Sequence, residues 1–161
     1  MSFGDFDIHV ARSAEDIEIA GKMFREYQEW LGVDLCFQDF ENELATLPGK
    51  YSPPCGEIFI AYQNDQVAGV VALRPVGLPE AGRSEMKRLY VRDEFRGQGL
   101  GRKLADLVVS FAKDADYKVM VLDTLPHLEA ALKMYASMGF AETAPYYENP
   151  LPGVVYLEKI L

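Results

Sequence analysis

The chain has 161 residues, 49% of them apolar, 25% charged, and a formal net charge of −9. That length suits a single domain over residues 1–161, able to bury about 70% of its unfolded surface around a core without disulfides. The excess of 25 acidic over 16 basic side chains argues against nucleic-acid binding, which needs clustered Lys and Arg, and suits either a cationic partner or plain solubility.

Residues 6–12 alternate and carry β-formers, which predicts a first strand. Ser13 with Asp16 forms a capping-box-like start. Ile17, Ala20, Phe24, Tyr27 and Leu31 then recur at helical spacing, and Gly32 ends that helix. A second helix is expected through Phe37, Phe40, Leu44 and Leu47, with Asp39, Glu41 and Glu43 facing out. Pro48, Gly49, Pro53 and Pro54 mark a loop. Residues 57–62 and 67–73 read as a hairpin across Gln63-Asn64-Asp65-Gln66. After a turn-rich stretch at 75–82, residues 85–91 read as a strand whose Lys87 and Arg88 imply one wet face. Arg96-Gly97-Gln98-Gly99-Leu100-Gly101 leads into a helix through Leu104, Leu107, Val108 and Phe111. A short strand at 119–122, a helix at 128–138 stopped by Gly139, and strands at 140–143 and 154–160 around a 145–153 loop complete the chain. The order β-α-α-β-β-β-α-β-α-β-β predicts an α/β or α+β fold with a mixed sheet.

Cys36 and Cys55 are the only cysteines, and His9 and His127 lie far apart with no ligand at metal spacing, so no metal is expected. Cys36, in Asp-Leu-Cys-Phe, reads as a small core residue. Residues 1–161 contain no signal-like N-terminal run and no stretch of 18 apolar residues, which implies no membrane partner and a reduced, cytoplasmic setting.

A strand, three alternate glycines and a helix form an anion-binding design. The glycines let N–H groups approach a ligand, and the helix N-terminus adds partial positive charge. A Gly-x-x-x-x-Gly-Lys-Ser/Thr loop is excluded because Arg102-Lys103 follows Gly101. Gly-x-Gly-x-Gly after the fourth predicted strand is also not a dinucleotide fingerprint. From the spacing alone, a glycine-rich turn without a ligand stays open.

Arg96-x-x-Gly99-x-Gly101 after Leu89-Tyr90-Val91 resembles the acetyl-CoA pyrophosphate motif of the GNAT acetyltransferase superfamily. Ala131-Leu-Lys-Met-Tyr135-Ala-Ser-Met-Gly139-Phe140 is similar to its second motif, Ala-x-x-x-Tyr-x-x-x-Gly-Phe. The resemblance spans essentially the whole chain and is sharpest from Glu85 to Phe140. It implies a mostly antiparallel sheet of six to seven strands flanked by about four helices, and acetyl transfer from acetyl-CoA, as co-substrate, to a primary amine. One departure is Leu128, where many members carry an Asn that contacts the CoA arm; Asp123, Thr124 or backbone groups are left for that contact.

The resemblance assigns the donor site to Leu89, Tyr90, Val91, Arg96, Gly97, Gln98, Gly99, Leu100, Gly101 and Arg102. It implies that the strand before the loop splays from its neighbour and that a backbone N–H there polarises the thioester. Tyr135 matches the Tyr that protonates the departing thiolate, against the alternative of a core tyrosine. Glu85 matches a strand carboxylate used as general base, its pKa raised by burial, against a solvated ion pair with Lys87 or Arg83. The first two helices and the loop before the last strand shape the acceptor pocket in the family. Here they carry Tyr27, Phe37, Tyr146, Tyr147 and Asn149, with Glu26, Glu29, Asp34 and Asp39. Residues 1–50 hold 11 Asp/Glu against 4 Lys/Arg, so these carboxylates serve either a small-molecule amine or a solvated helix face. A non-catalytic acyl-CoA-binding or regulatory module is the competing reading, and the last strands leave a homodimer open.

Overall fold

The computed structural model of the chain describes residues 5–161. Among them, β1 (Asp7–Val10), β2 (Glu57–Gln63), β3 (Gln66–Pro75), β4 (Arg83–Val91), β5 (Val119–Thr124), β6 (Ala141–Glu142) and β7 (Val155–Ile160) form one seven-stranded sheet. Its order is β1-β2-β3-β4-β5-β7-β6. Every pairing is antiparallel except β4 with β5. Helices α1 (Ala14–Leu31) and α2 (Phe40–Ala45) cover one face, and α3 (Leu100–Asp114) and α4 (Glu129–Ser137) cover the other.

The local signals act as expected at most boundaries. The Ser13 hydroxyl accepts from Asp16 N–H at 3.1 Å and the Asp16 carboxylate accepts from Ser13 N–H at 3.2 Å, so α1 opens on a full capping box. Gly32, at φ 75°, closes it in the left-handed conformation. Asn64 and Asp65, at φ 50° and 63°, make the tight β2–β3 turn. Gly69 is required for packing. A Cβ there would lie 2.9 Å from the Tyr90 carbonyl oxygen and 3.2 Å from Leu100 and Leu104, so its absence lets α3 settle onto β3 and β4.

Several expectations change. The first strand is only four residues long. The second helix breaks in two, a 3-10 turn at Cys36–Gln38 and then α2, because Asp39 at φ 58° redirects the chain. Cys36 is exposed rather than in the core. Lys87 and Arg88 are buried, not wet, and Glu43 turns inward to meet Arg88.

The cause is a bulge in β4. Ala72 pairs with Lys87 but Val70 pairs with Tyr90, so β4 carries one residue more than β3 across that step. Arg88 absorbs it at φ 61°, a conformation that costs an arginine about 1–3 kcal/mol. The extra residue breaks alternation and sends both Lys87 and Arg88 to the α1–α2 face. There Arg88 lies over Phe40 at 5.1 Å and makes a two-pronged ion pair with Glu43, both bonds 3.0 Å.

Candidate active site

Strands β4 and β5 pair over only three residues, Arg83 with Val119, Ser84 with Met120 and Glu85 with Val121. Beyond that point β4 runs on to Val91 against β3, and β5 runs on to Thr124 against β7. The two strands part, and a wedge opens between them beside the bulge. One side of the wedge is a groove of about 620 Å³, and the other is a narrower cavity under α1. Trp30, Leu89, Leu128 and Ala131 line both, so the two spaces adjoin.

The groove gathers the glycine loop. Gly97 and Gly99 both sit at φ 79° with open space where a Cβ would stand. Gly99 caps α3, and its carbonyl accepts from Lys103 N–H at 3.1 Å. The N–H groups of Leu100, Gly101 and Arg102 precede that first bond and are the orphan donors of the helix start. Arg96 is poised at the lip. Its Nε donates to the Val91 carbonyl at 2.9 Å, it pairs with Asp93 at 2.7 Å, and its guanidinium lies 4.7 Å from the Trp30 ring centre. Arg102 bridges to α4 through the Ser137 hydroxyl at 3.0 Å. Of the ten expected donor-site residues, Leu89, Tyr90, Val91, Arg96, Gly97, Gly99, Leu100, Gly101 and Arg102 line the groove. Gln98 does not; its side chain accepts from Gln63 Nε2 at 3.0 Å.

Tyr135 is buried on α4, its ring edge-on to Phe140 at 5.6 Å, and it lines the cavity. Burial pushes its pKa well above the ordinary phenol value. Tyr27, on α1, lines the same cavity, and burial raises its pKa to about 12. Each phenol stays protonated at neutral pH.

The cavity's inner wall is a polar network. Lys87 Nζ and Arg88 Nη1 both donate to Gln38 Oε1 at 2.9 Å. Gln38 Nε2 donates to the Tyr147 hydroxyl at 2.9 Å. That hydroxyl in turn donates to Asp123, which also accepts from Asn149 Nδ2 at 3.0 Å. Burial pulls the Lys87 ammonium down to about 8, with Glu85 opposing the fall.

Glu85 behaves differently from the expectation. It is buried, its Oε1 accepts from Arg74 Nε at 2.9 Å, and its Oε2 accepts from the Tyr146 hydroxyl. Burial alone would raise its pKa, but Lys87, Arg74 and the Tyr146 bond outweigh burial and hold it below the ordinary carboxylate value. The expected rise toward neutrality is therefore reversed. Tyr146 joins Glu85 rather than the cavity; Asn149 lines the cavity, and Tyr147 reaches Asp123 from behind it. The side chain of Phe37 lies outside the described residues.

The carboxylates of the first third are mostly engaged elsewhere. Glu26 pairs with Arg92, and Asp34 accepts from Cys36 N–H at 2.9 Å. Glu29 faces the outer groove between α1 and α2, and Asp39 is exposed. Sequence reasoning did not place Gln38, Lys87 or Arg88 in the site, and it named Asp123 only for the CoA arm. Two adjacent charges inside an apolar strand were the available signal for Lys87 and Arg88. Among the described residues no group of His, Cys, Asp and Glu is arranged to hold a metal ion, and no helix is long and apolar enough to cross a membrane.

A sheet split beside a bulge, with a glycine-capped helix at one end of the split and a buried phenol at the other, defines an acyl-CoA-dependent transferase scaffold. The family model for the acetyltransferase (GNAT) family matches residues 18–140. The chain is 40% identical over 158 residues to an uncharacterised N-acetyltransferase of Schizosaccharomyces pombe, covering 98% of this chain and 96% of that one. It is 30% identical to a second uncharacterised N-acetyltransferase, from Dictyostelium discoideum, covering 89% and 93%. In fold it is similar to a GNAT-family acetyltransferase from Staphylococcus aureus (TM-score 0.78, 19% identity, covering 96% and 98%). It is similarly related to the PaiA N-acetyltransferase of Thermoplasma acidophilum solved with coenzyme A (TM-score 0.72, 18% identity, covering all of both chains). The chain belongs to the GNAT acetyltransferase family and is an acyltransferase.

Proposed function

We propose that the chain moves the acetyl group of acetyl-CoA to a primary amine of a small molecule by direct attack on the thioester. The observation that carries this reading is the β4–β5 wedge, which joins the glycine-loop groove to the Tyr135 cavity through a shared wall. The coenzyme A bound by a neighbour of the same fold supports the choice of donor.

Acetyl-CoA supplies the activated acyl group as a thioester. The N–H groups of Leu100, Gly101 and Arg102, with the Arg96 and Arg102 guanidiniums, hold its diphosphate at the helix start. The edge of β4 from Leu89 to Val91, which has no partner strand on the wedge side, offers backbone donors and acceptors to the pantetheine arm. A backbone N–H beside the bulge then faces the thioester carbonyl, where one such oriented donor is worth about 2.7–4 kcal/mol in the transition state. Tyr135, kept neutral by burial, holds its proton for the departing sulfur.

The acceptor enters the cavity under α1. Its enclosure by Tyr27, Trp30, Leu31 and Leu35 on one side and Leu125 and Leu151 on the other favours a small molecule over a protein segment. Two unpaired thiols, Cys36 and Cys55, support a reducing compartment such as the cytoplasm.

Thiol release from acetyl-CoA across a panel of primary amines tests the reaction and names the acceptor class. In the same assay Tyr135→Phe retains acetyl-CoA affinity and lowers kcat by about 100-fold. Unchanged turnover, with chemistry shown to limit the rate, removes Tyr135 from the mechanism.

A further inference from the structure

An acceptor amine arrives as an ammonium and must shed a proton before it attacks, and a cavity carboxylate with a free oxygen would both hold the cation and take that proton. Glu85 has none, since Arg74 and Tyr146 take its two oxygens. Glu43 gives both oxygens to Arg88, and Glu26 gives both to Arg92. Asp123 is different. It stands on β5 two residues past the last β4–β5 pair, where the strands have already parted, and it lines the cavity with Tyr27, Lys87 and Tyr135. Its Oδ2 accepts from Tyr147 and Asn149, and its Oδ1 takes no hydrogen bond from any described residue.

Asp123 is also oriented. The Tyr147 hydroxyl accepts from Gln38 Nε2 and from Asn149 Nδ2, each at 2.9 Å, so its one proton is committed to Asp123. Gln38 cannot turn over, because both Lys87 and Arg88 donate to its Oε1. A chain of fixed donors thus runs from the buried cations to one carboxylate oxygen and leaves the other without a donor among the described residues, in a residue that lines the cavity.

Resting on the acetyl-transfer reading above, we infer that Asp123 is the residue that receives the acceptor, holding its ammonium through Oδ1 and taking the proton that the nitrogen loses. Tyr147, Asn149 and Gln38 are its positioning residues. The bookkeeping closes without another reagent. The ammonium gives one proton to Asp123, which passes it to solvent. The freed lone pair forms the C–N bond to the acetyl carbon, the C–S bond breaks, and the sulfur takes the Tyr135 proton. The second proton leaves the nitrogen as the amide forms and restores Tyr135 through solvent.

The test uses the full chain, acetyl-CoA and the best amine of the panel, with acetyl-CoA binding followed separately by the fluorescence of Trp30. Asp123→Asn and Asp123→Ala are expected to lower kcat/KM for the amine by about 100-fold or more, with KM for acetyl-CoA held within about threefold. Formate added to Asp123→Ala restores part of the rate, which a purely structural role would not allow. Tyr147→Phe, which deletes the proton committed to Oδ2, costs about tenfold on the same parameter. Where Asp123→Ala loses its fold, the isosteric Asp123→Asn decides alone. An active wild type whose Asp123→Asn variant keeps its amine kcat/KM overturns the proposal, as does a loss confined to KM for acetyl-CoA, or a loss found in Glu85→Gln and not in Asp123→Asn. A wild type that binds acetyl-CoA and acetylates no amine overturns the underlying acetyl-transfer reading first, and this proposal with it.

Discussion

Replacing Lys87 by methionine keeps most of the side chain's length and removes its charge. Lys87 is buried and makes one hydrogen bond, to Gln38. Burial carries its ammonium from the ordinary 10.5 to about 8, against the pull of Glu85. At about 1.4 kcal/mol per tenfold change in acidity, that displacement corresponds to about 3 kcal/mol. The sign follows from proton counting. Between about pH 8 and pH 10 the unfolded chain still holds the Lys87 proton and the folded chain has released it, so wild-type stability rises with pH across this window. Below it both states are protonated and the cost of the buried charge is present in full. Above about pH 10 the raised phenols of Tyr27 and Tyr135 act in the opposite direction, because the unfolded chain loses their protons first. Lys87→Met lacks the lysine contribution. The wild type should therefore gain about 2 kcal/mol on the variant between pH 8 and pH 9.5. Urea unfolding at constant ionic strength reads this as an upward shift of the wild-type midpoint relative to the variant, with equal slopes. A difference that stays flat or shrinks with pH refutes the claim that the fold holds a penalised ammonium at this position.

The Arg88–Glu43 pair makes a second test, since Arg88 is buried and Glu43 nearly so. Glu43→Gln leaves a buried guanidinium uncompensated and should cost about 3–5 kcal/mol, seen as a fall in Tm, while acetyl-CoA affinity is unchanged. The double variant with Arg88→Met should recover part of the loss. At the glycine loop, Gly99→Ala meets no steric clash but forces φ 79° on an L-residue. It should cost about 1–2 kcal/mol and weaken acetyl-CoA binding rather than acceptor KM. Trp30, the single tryptophan, lines both groove and cavity beneath Arg96 and reports on that binding. Saturating acetyl-CoA should change its emission, and an unchanged spectrum argues against its place at the junction.

The shape of the glycine loop was legible because glycine carries its conformational meaning in one letter. Gly97 and Gly99 sit in the left-handed region and the helix begins at Leu100, as the spacing implies. Tyr135 was singled out by its motif alone, since a tyrosine on a helix face says nothing about which cavity it reaches; the structure places it in the wall of the cavity under α1. The polar wall of the cavity was not legible. Period-two alternation places Lys87 and Arg88 on opposite faces of a strand, and only the bulge at Arg88 brings them together. Glu43 looked like a solvent-facing acid because the kink at Asp39, which turns it inward, leaves no mark in the hydrophobic pattern. Asp123 meets Tyr147 and Asn149 across more than twenty residues, a distance no local spacing covers. The acid excess of the first third was real, yet Glu26, Glu41 and Glu43 pair with Arg92, Arg25 and Arg88; the carboxylate we assign to the acceptor comes from the middle of the sheet.

The three-residue pairing of β4 with β5 divides the sheet into two panels, β1 to β4 and β5 to β7, stitched at one end only. On the proposed reading, a pantetheine arm lying in the wedge would stand in for the missing rungs, and the donor would act as a removable strand. Occupancy would then close a seam that the polypeptide leaves open. The amides of Leu89–Val91 would exchange slowly with the donor bound and quickly without it. Product release would then be the unfastening of two panels as well as the departure of a small molecule, along the line where β4 and β5 pair over only three residues.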